Sequence, residues 1–285
     1  MSKSIHSRVW FITGASRGFG LETARAALAR GDRVVATARK PESITAVLGE
    51  HQNLLPVGLD VTDEAQAVAA ARAAVERFGR IDVLLNNAGF GLLGAVEEAS
   101  ASEVERVYAT NVFGLLKVTR AVLPHMRRAR GGLVINISSI GGYWSYPGWT
   151  VYGSTKFAVE GLSEGLAREL APLGIRVTCV QPGFFRTDFL DSSSLSSTAT
   201  QIDDYAATVG AMRQHAAGAN HRQPGDPLKL VQALLQVADS SEPPLRLPLG
   251  SDAVAQLEEK LAIVAGELAR WRAVSLSTDH DDVAA

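Results

Sequence analysis

Short apolar, β-branched runs alternate with longer segments rich in Ala, Leu, Glu and Arg through most of the chain. The short runs are apolar at nearly every position, which is typical of strands that helices cover on both faces. Strands that alternate with helices predict βαβ units on one parallel sheet, and hence a doubly wound α/β fold. The apolar runs are residues 9–13, 33–37, 54–59, 83–86, 133–138 and 176–180, and the helical segments are 20–30, 63–78, 102–130 and 152–173.

The chain has no internal repeat and no long linker, so we predict one dinucleotide-binding domain over residues 1–285. Two regions depart from the alternation. Residues 184–227 look largely irregular, with a Ser- and Thr-rich stretch at 191–200, and such a segment is often a lid or substrate loop. Residues 250–285 form a C-terminal helical extension, with an amphipathic pattern at 252–271 and a polar tail that we expect to fray.

Charge, cysteine and histidine usage argue against several function classes. The 28 basic and 30 acidic residues give a net charge of -2, which disfavours a nucleic-acid partner. The single cysteine, Cys179, predicts a reducing, cytoplasmic location, and its apolar neighbours predict a buried structural thiol. We expect no signal peptide and no membrane span, because no apolar run approaches about 18 residues. The six histidines are scattered, so no metal site is expected.

A glycine-rich turn, Thr13-Gly-Ala-Ser-Arg-Gly-Phe-Gly20, follows the first strand and leads into a helix. Glycines allow a tight turn and let backbone amides approach a pyrophosphate at the helix N-terminus. Because the turn lies between the strand and the helix of the first βαβ unit, it predicts a dinucleotide site. The alternative is a glycine-rich connection that binds no ligand.

The end of the second strand indicates which dinucleotide is bound. An NAD site typically has Asp or Glu about 20 residues after the glycine turn, where it holds the ribose hydroxyls. This chain has Arg39 and Lys40 there and no acid, and Arg17 in the turn is a third cation. A guanidinium binds phosphate through paired hydrogen bonds, so the sequence favours NADP(H) over NAD(H). The alternative is that Arg39 and Lys40 are solvated loop charges.

A tyrosine and a lysine stand four residues apart at the start of the fourth helical segment. This spacing places Tyr152 and Lys156 on one helix face, within reach of each other. A nearby ammonium lowers the pKa of a phenol, which is ordinarily about 10. Tyr152 could then donate a proton to a carbonyl oxygen or remove one from an alcohol. Without further context, such a pair is common on helix surfaces.

Polar motifs follow the later strands and supply that context. Asn86-Asn-Ala-Gly89 ends the fourth strand, Ser138-Ser139 the fifth and Pro182-Gly183 the sixth, while Asn111 lies in the helix after the fourth strand. Open α/β sheets bind ligands outside the carboxyl ends of their strands. The sequence therefore predicts that these residues gather around one cleft.

These motifs resemble those of the short-chain dehydrogenase/reductase family, in its short, single-domain branch, over residues 8–249. The resemblance rests on the glycine turn, Asp60-Val-Thr62, Asn86-Asn-Ala-Gly89, Asn111, Ser139, Tyr152-Gly-Ser-Thr-Lys156, and Pro182-Gly183 with Thr187. Several spaced motifs in the same order make the match specific. It implies a Rossmann-type, doubly wound parallel sheet of about seven strands with helices on both faces. It also implies an oxidoreductase that interconverts a ketone or aldehyde and an alcohol by hydride transfer.

The resemblance implies a catalytic tetrad of Asn111, Ser139, Tyr152 and Lys156. Tyr152 would be the general acid in reduction and Ser139 would orient the carbonyl oxygen; Ser138 is a rival, but the 13-residue separation from Tyr152 favours Ser139. Lys156 would bind the nicotinamide ribose and lower the Tyr152 pKa, and Asn111 would hold a water that passes protons to Lys156. The implied cofactor-binding residues are Gly14, Ser16, Arg17, Gly18, Phe19, Gly20, Arg39, Lys40, Asp60, Val61, Asn87, Ala88, Gly89, Tyr152, Lys156, Pro182, Gly183 and Thr187.

Aromatic and apolar residues are concentrated beside the expected hydride-transfer site. They predict an apolar or aromatic carbonyl substrate that the protein reduces, although core packing would explain any single aromatic equally well. The predicted pocket residues are Leu92, Leu93, Ile140, Tyr143, Tyr146, Trp149, Phe184, Phe185 and Phe189, with Phe90 and Trp144 as further candidates.

Two other functions compete with a reductase. A non-enzymatic NADP(H)-binding sensor or regulatory protein is disfavoured by the full tetrad, and an epimerase or dehydratase of the family's longer branch is disfavoured by the glycine spacing.

Assembly is predicted from helix 152–173, which carries a small-residue stripe of Ser154, Ala158, Gly161 and Gly165. The family resemblance implies association through that helix and the one containing Asn111. Together with the stripe, it favours a homodimer or homotetramer. Packing on the protein's own sheet is the alternative, and the C-terminal extension could instead cover an interface or the pocket.

Overall fold

In a computed structural model that describes residues 7–280, seven strands form one sheet with helices on both faces. The remaining residues, 1–6 and 281–285, include part of the predicted polar start and tail and lie outside the described range. In chain order the elements are β1 (Val9–Thr13), α1 (Gly18–Ala29), β2 (Arg33–Ala38), α2 (Glu42–Leu48), β3 (Leu54–Gly58), α3 (Glu64–Phe78), β4 (Val83–Asn86), β5 (Gly91–Leu93), α4 (Ala101–Tyr108), α5 (Leu115–Ala129), β6 (Gly132–Ile137), α6 (Thr150–Leu170), β7 (Ile175–Pro182), β8 (Leu195–Ser197), α7 (Ala211–Ala219), α8 (Pro227–Asp239), β9 (Arg246–Leu249) and α9 (Ser251–Leu276).

The sheet is parallel throughout, in the order β3-β2-β1-β4-β6-β7-β9. The chain runs outward from β1 to β3 and then returns to the other side of β1 with β4. This reversal creates the switch point at which open α/β sheets bind ligands, outside the carboxyl ends of the strands. The predicted doubly wound sheet of seven strands is confirmed.

Each face of the sheet carries its own apolar core. Trp10 and Ile12 of β1 belong to the core beneath α1 and α8, whereas Val9 and Phe11 belong to the core beneath α3 and α5. Successive strand residues point to opposite faces, and both faces are covered, so no position of β1 is left for a polar side chain at the surface. This explains why the strands are apolar at nearly every position.

Several elements differ from the sequence prediction. The segment 102–130 is not one helix, because a π-helical segment, Ala109–Gly114, separates α4 from α5. The segment 184–227 is more ordered than predicted, since it contains β8 and α7. Strand β8 has three residues and pairs with β5 about 100 positions earlier in the chain, a contact that no local pattern reveals.

Helix α9 extends further than the predicted 252–271, from Ser251 to Leu276. Its first turn packs on the domain, and every residue from 261 to 280 is exposed. Across the described chain, none of the helices is both long enough and apolar enough to cross a membrane.

Candidate active site

The carboxyl ends of the central strands open into one cavity of about 750 Å³. Its lining runs from the end of β2, past the glycine turn, to the start of α6 and the segment that follows β7. The predicted residues that line it are Gly14, Ser16, Arg17, Gly18, Phe19, Arg39, Asp60, Val61, Asn87, Ala88, Gly89, Ser139, Ile140, Tyr146, Trp149, Tyr152, Lys156, Pro182, Gly183, Phe184, Phe185, Thr187 and Phe189, together with Phe90.

The glycine turn is held in place by close contacts with the turn after β4. Gly14 has a φ of +65°, and a side chain there would bring its Cβ to 3.0 Å from the Ala88 Cα. A Cβ on Gly20 would lie 2.4 Å from the Gly14 carbonyl oxygen, which leaves room for no larger residue. The Asn87 amide donates to the carbonyls of Thr13, at 2.9 Å, and Gly14, at 3.0 Å. Asn87 and Gly20 therefore fix the shape of the turn.

Helix α1 begins at this turn and points its N-terminus at the cavity. No side chain caps it, and its first turn contains no acidic residue. The first amides of a helix have no partner within the helix, and the helix dipole adds partial positive charge there. Uncapped amides that line a cavity fit a phosphate group, so this end of the cavity suits a dinucleotide.

The three cations predicted to select the cofactor differ in their positions. Arg39 follows β2, lines the cavity and is exposed, whereas Lys40 points elsewhere. Arg17 lines the cavity as well, and its guanidinium donates to the Ser193 carbonyl at 2.6 Å.

The Asp60 carboxylate accepts from the amide and the hydroxyl of Thr62, at 2.9 and 2.7 Å, and so shapes its own turn.

Tyr152 lies in the first turn of α6 with its ring buried between aromatic neighbours. Its centroid is 5.6 Å from that of Trp149 and 5.6 Å from that of Phe189. Ser139 follows β6, and its hydroxyl accepts from the Gly141 amide at 3.0 Å, which fixes the side chain. Burial raises the pKa of the Tyr152 phenol well above its usual value, and a hydrogen bond with Ser139 acts in the opposite direction. At neutral pH, Tyr152 therefore carries its proton.

Lys156 is buried one helical turn after Tyr152. Its ammonium donates to the Ile137 carbonyl at 2.9 Å and lies 5.7 Å from the centroid of the Tyr152 ring. Burial lowers the pKa of Lys156 to about 8, while Cys179 and Glu160 act in the opposite direction. The sequence predicted that Lys156 lowers the Tyr152 pKa. In the structure, burial raises that pKa, and the opposing influence comes from Ser139 and not from Lys156.

Asn111 lies behind the cavity lining, in the π-helical segment between α4 and α5. Its amide donates to the Phe90 carbonyl at 2.9 Å and to the Thr155 hydroxyl at 3.2 Å, and its oxygen accepts from the Phe90 amide at 3.1 Å. A Cβ on Gly89 would lie 3.1 Å from the Asn111 oxygen and 3.7 Å from the Lys156 nitrogen. Asn111 thus connects the turn after β4 to α6. The π-helical segment in which it lies is a type of structure that is frequent at functional sites.

Five further predicted residues do not line the cavity, and neither does Trp144, the other additional pocket candidate. Gly20 packs beneath the glycine turn, and Lys40 is exposed. Leu93 packs behind Trp149 and Tyr152, whereas Leu92 packs against Val107 of α4 and Val151 of α6. Tyr143 lies at the edge of the sheet near Arg246. Leu92 and Leu93 are buried in β5, which pairs with β8, and they do not line the cavity.

The segment after β7 contributes lining residues that the sequence did not single out. Residues 192–194 and Ser196 cover the cavity next to Arg17, and Gln223 lines it from the end of the same segment. Arg106 of α4 also lines it, 5.7 Å from the Phe90 ring centroid and 3.4 Å from the Ser196 hydroxyl. No local pattern marks Arg106, which in the sequence is one of many helix charges.

The start of α9 supports the substrate end of the cavity. The Asp252 carboxylate accepts from the Phe184 amide at 2.7 Å, and it fills the space where a Gly183 side chain would be, with an oxygen 2.2 Å from the Cβ position. Gln256 accepts a hydrogen bond from the Tyr146 hydroxyl. The first turns of the extension therefore position the loop that follows β7.

Comparisons with known proteins match this arrangement. The family model for short chain dehydrogenase matches residues 8–197. The chain belongs to the short-chain dehydrogenase family. It is accordingly an oxidoreductase of that family, which acts on CH–OH or C=O groups.

Two curated relatives are similar over most of their length. The chain is 40% identical to Oxidoreductase BOA17 of Botryotinia fuckeliana, covering 95% of this chain and 99% of that protein. It is also 40% identical to the 3-ketodihydrosphingosine reductase of Bacteroides thetaiotaomicron, covering 85% and 88%. A solved structure of a short-chain dehydrogenase from Streptomyces avermitilis has a TM-score of 0.88 and 42% identity, covering 96% and 100%.

Solved short-chain dehydrogenases with bound nucleotides contain either cofactor. A serine dehydrogenase complexed with NADP+ has a TM-score of 0.70 and 29% identity, covering 85% of this chain and 94% of that one. A 3-ketoacyl-(acyl-carrier-protein) reductase from Brucella melitensis complexed with NADH has a TM-score of 0.71 and 25% identity, covering 86% and 98%. The family binds nicotinamide nucleotides, and the choice between them depends on residues of the individual chain.

Proposed function

We propose that the protein is an NADP(H)-dependent reductase of apolar or aromatic ketones and aldehydes. One observation carries the proposal: Tyr152 and Ser139 lie in the same cavity as the uncapped N-terminus of α1. That cavity thus combines a site for a phosphate-bearing cofactor with a proton donor. The aromatic residues around Tyr152 make the adjoining end apolar.

The cofactor would be held by groups at the carboxyl ends of β1, β2, β4 and β7. The amides of the glycine turn would bind the pyrophosphate, and Arg39 with Arg17 would bind the 2′-phosphate of NADP(H). When bound, the cofactor supplies the hydride that reduces the carbonyl carbon. The absence of any acidic residue at the end of β2 favours NADP(H), since a carboxylate there would repel the phosphate.

The proton needed for reduction comes from Tyr152. Its raised pKa keeps the phenol protonated at neutral pH, so that it can donate to the oxygen of the carbonyl. The Ser139 hydroxyl orients the same oxygen and stabilises the charge that develops on it. The Lys156 ammonium then favours the phenolate that remains, and Asn111 fixes the turn against which Lys156 is placed.

The substrate end of the cavity supports an apolar carbonyl compound. Trp149 and Phe189 stack with centroids 6.3 Å apart, and Tyr146 and Phe184 lie edge to face at 6.4 Å. Aromatic walls of this kind bury aryl or alkyl groups. The similarity to a protein named as a 3-ketodihydrosphingosine reductase supports a ketone substrate.

NADPH oxidation across a panel of ketones and aldehydes tests the proposed function. We expect aryl and long alkyl ketones to give higher kcat/KM than pyruvate or other small keto acids, and NADPH to be preferred over NADH. Preference for small charged keto acids, or for NADH with every substrate, would contradict the proposal.

The outer face of α5 and α6 supports a homo-oligomer. Phe157 of α6 is 44% exposed, and Phe113, in the π-helical segment just before α5, is 53% exposed. A Cβ on Gly161 or Gly165 would meet no atom within 4 Å, so the glycines do not serve packing on the protein's own sheet. We infer that this face contacts a second copy in a dimer or tetramer. The cytoplasmic location expected from the single cysteine remains a prediction.

A further inference from the structure

Helix α9 leaves the domain after its first turns. Asp252 and Gln256 bond to the loops around the cavity, and Ala253 is fully buried, but every residue from 261 to 276 is exposed. At 1.5 Å per residue, this exposed part is about 24 Å long. It includes five large apolar side chains that are more than half exposed: Leu261 at 53%, Leu268 at 56%, Trp271 at 59%, Val274 at 56% and Leu276 at 55%.

The apolar residues of α9 follow a heptad pattern. Six of them recur at alternating intervals of three and four residues, which is the spacing of the a and d positions of a coiled coil. This repeat of 3.5 residues keeps the side chains on one side of a helix that supercoils around a partner. We call these six residues the seam: Val254, Leu257, Leu261, Val264, Leu268 and Trp271.

The charges beside the seam are complementary to those of a second α9 that runs in the opposite direction. In that arrangement, residues 254, 257 and 261 face residues 271, 268 and 264 of the second copy. Lys260 then lies opposite Glu267 on one flank, and Glu258 opposite Arg272 on the other. Each pair occurs twice by symmetry, and no two like charges are brought together.

A parallel pair fits the residues less well. In a parallel pair, Glu267 of one copy would face Arg272 of the other. Lys260 would face the uncharged Ala265, so only one kind of charge pair would form instead of two. The parallel pair would also bring both folded domains to the same end of the coiled coil, since the seam begins one residue after the buried Ala253. The antiparallel pair separates the domains by the length of the helix.

We propose that α9 pairs with α9 of a second copy of this chain as an antiparallel, two-stranded coiled coil. A membrane surface is the other occupant that an exposed apolar helix can have. Such helices carry mainly Lys and Arg on their polar face, whereas α9 has three basic residues, Lys260, Arg270 and Arg272, against four acidic ones, Asp252, Glu258, Glu259 and Glu267.

The pairing is tested by the mass of the full-length protein in light scattering. The double variant Leu261→Glu/Leu268→Glu places charge in the seam and is expected to halve the mass found for the wild type, because the dissociation constant rises at least about 100-fold. The control is Ile263→Glu, which adds one such charge at a 42% exposed position outside the seam and should leave the mass unchanged. Circular dichroism checks that both variants keep their helix content.

Three results would overturn the pairing. They are a monomeric wild type, an unchanged mass in the double variant, and an equal loss of mass in Ile263→Glu. Sedimentation of a monomeric wild type with phosphatidylcholine–phosphatidylglycerol vesicles would assign the seam to a membrane instead. A monomeric wild type would also contradict the contact through α5 and α6, whereas the other two results leave that contact unaffected. None of the three bears on the proposed function.

The direction of the helices is tested by charge exchange. Arg272→Glu should weaken the association about threefold to tenfold, because Glu258 of the second copy then faces a like charge. Adding Glu258→Arg should restore it in the antiparallel arrangement. Restoration by Glu267→Arg, and not by Glu258→Arg, would show a parallel pair and overturn this part of the proposal.

Discussion

The two ends of the cavity are built in different ways. At the cofactor end, short turns follow the strands and present backbone groups, and contacts from Gly20 and Asn87 hold them in place. At the substrate end, the lining consists of large side chains from the loop before α6 and from the segment after β7. Trp149, Phe189 and Tyr146 pack mainly on one another there.

This difference predicts how each end responds to substitution. The cofactor end depends on the sheet and on close backbone approach, so changes there should affect turnover of every substrate. The substrate end depends on individual side chains that can be replaced without moving a strand, so changes there should affect some substrates more than others. Ser139 and Tyr152 lie between the two ends and serve both.

Among the substitutions that compare the two ends, the largest effect is expected at Ser139, where the ends meet. Ser139→Ala should lower kcat about 100- to 1000-fold with all substrates, because it removes a hydrogen bond to the developing oxyanion. Its neighbour Ser138 is a matched control, since its hydroxyl is buried against Gly142. Steady-state kinetics of Ser138→Ala should stay within about threefold of wild type. Equal losses in both variants would contradict the assignment of Ser139.

At the cofactor end, Arg39→Ala should lower kcat/KM for NADPH about 10- to 100-fold and change kcat/KM for NADH little, because it removes a charged hydrogen bond to phosphate. Lys40→Ala is the matched control, because Lys40 does not line the cavity. Initial rates with both cofactors measure the effect. Equal effects of the two substitutions would mean that general surface charge, and not Arg39, selects the cofactor.

At the substrate end, Phe189→Ala should lower kcat/KM about tenfold for aryl ketones and about twofold for small aliphatic ones, because it removes the ring that stacks on Trp149. The KM for NADPH is the internal control and should not change. A uniform loss with all ketones would contradict the separation of the two ends and place Phe189 with the shared residues.

The smallest effect is a dependence on pH. Since the pKa of Lys156 is lowered to about 8, its ammonium is present below that pH and is lost above it. The raised pKa keeps Tyr152 protonated over the same range. The kcat/KM for reduction should therefore be constant up to about pH 7, half-maximal near pH 8 and lower above it. A rate of reduction that increases from about pH 7 to pH 9 would contradict these protonation states.

Most of the sheet and of the cofactor end could be predicted from the sequence. Strands buried on both faces are apolar throughout, and Gly14 and Gly20 stand where only glycine fits the turn. The four predicted tetrad residues lie on the connections that follow β4 and β6, two strands whose carboxyl ends the topology brings to the same edge of the sheet. These features depend on local sequence and on the order of the strands, and both are visible in a single chain.

The substrate end could be predicted only in part. Leu92 and Leu93 were expected in the pocket, but they are buried in β5, which pairs with β8, and they do not line the cavity. The role of Arg106 in the lining and the contact between Arg17 and Ser193 depend on how the segment after β7 folds back. The raised pKa of Tyr152 results from burial by Trp149 and Phe189, which the spacing of Tyr152 and Lys156 does not reveal.

The central claim is that Tyr152 transfers the proton within a cavity that binds NADPH independently of its hydroxyl. Turnover and NADPH binding of Tyr152→Phe, measured on the same preparation, test it most directly. We predict a loss of kcat of at least about 1000-fold, with a dissociation constant for NADPH within about threefold of wild type. Turnover close to that of the wild type would contradict the claim, because the phenol would then not be the proton donor.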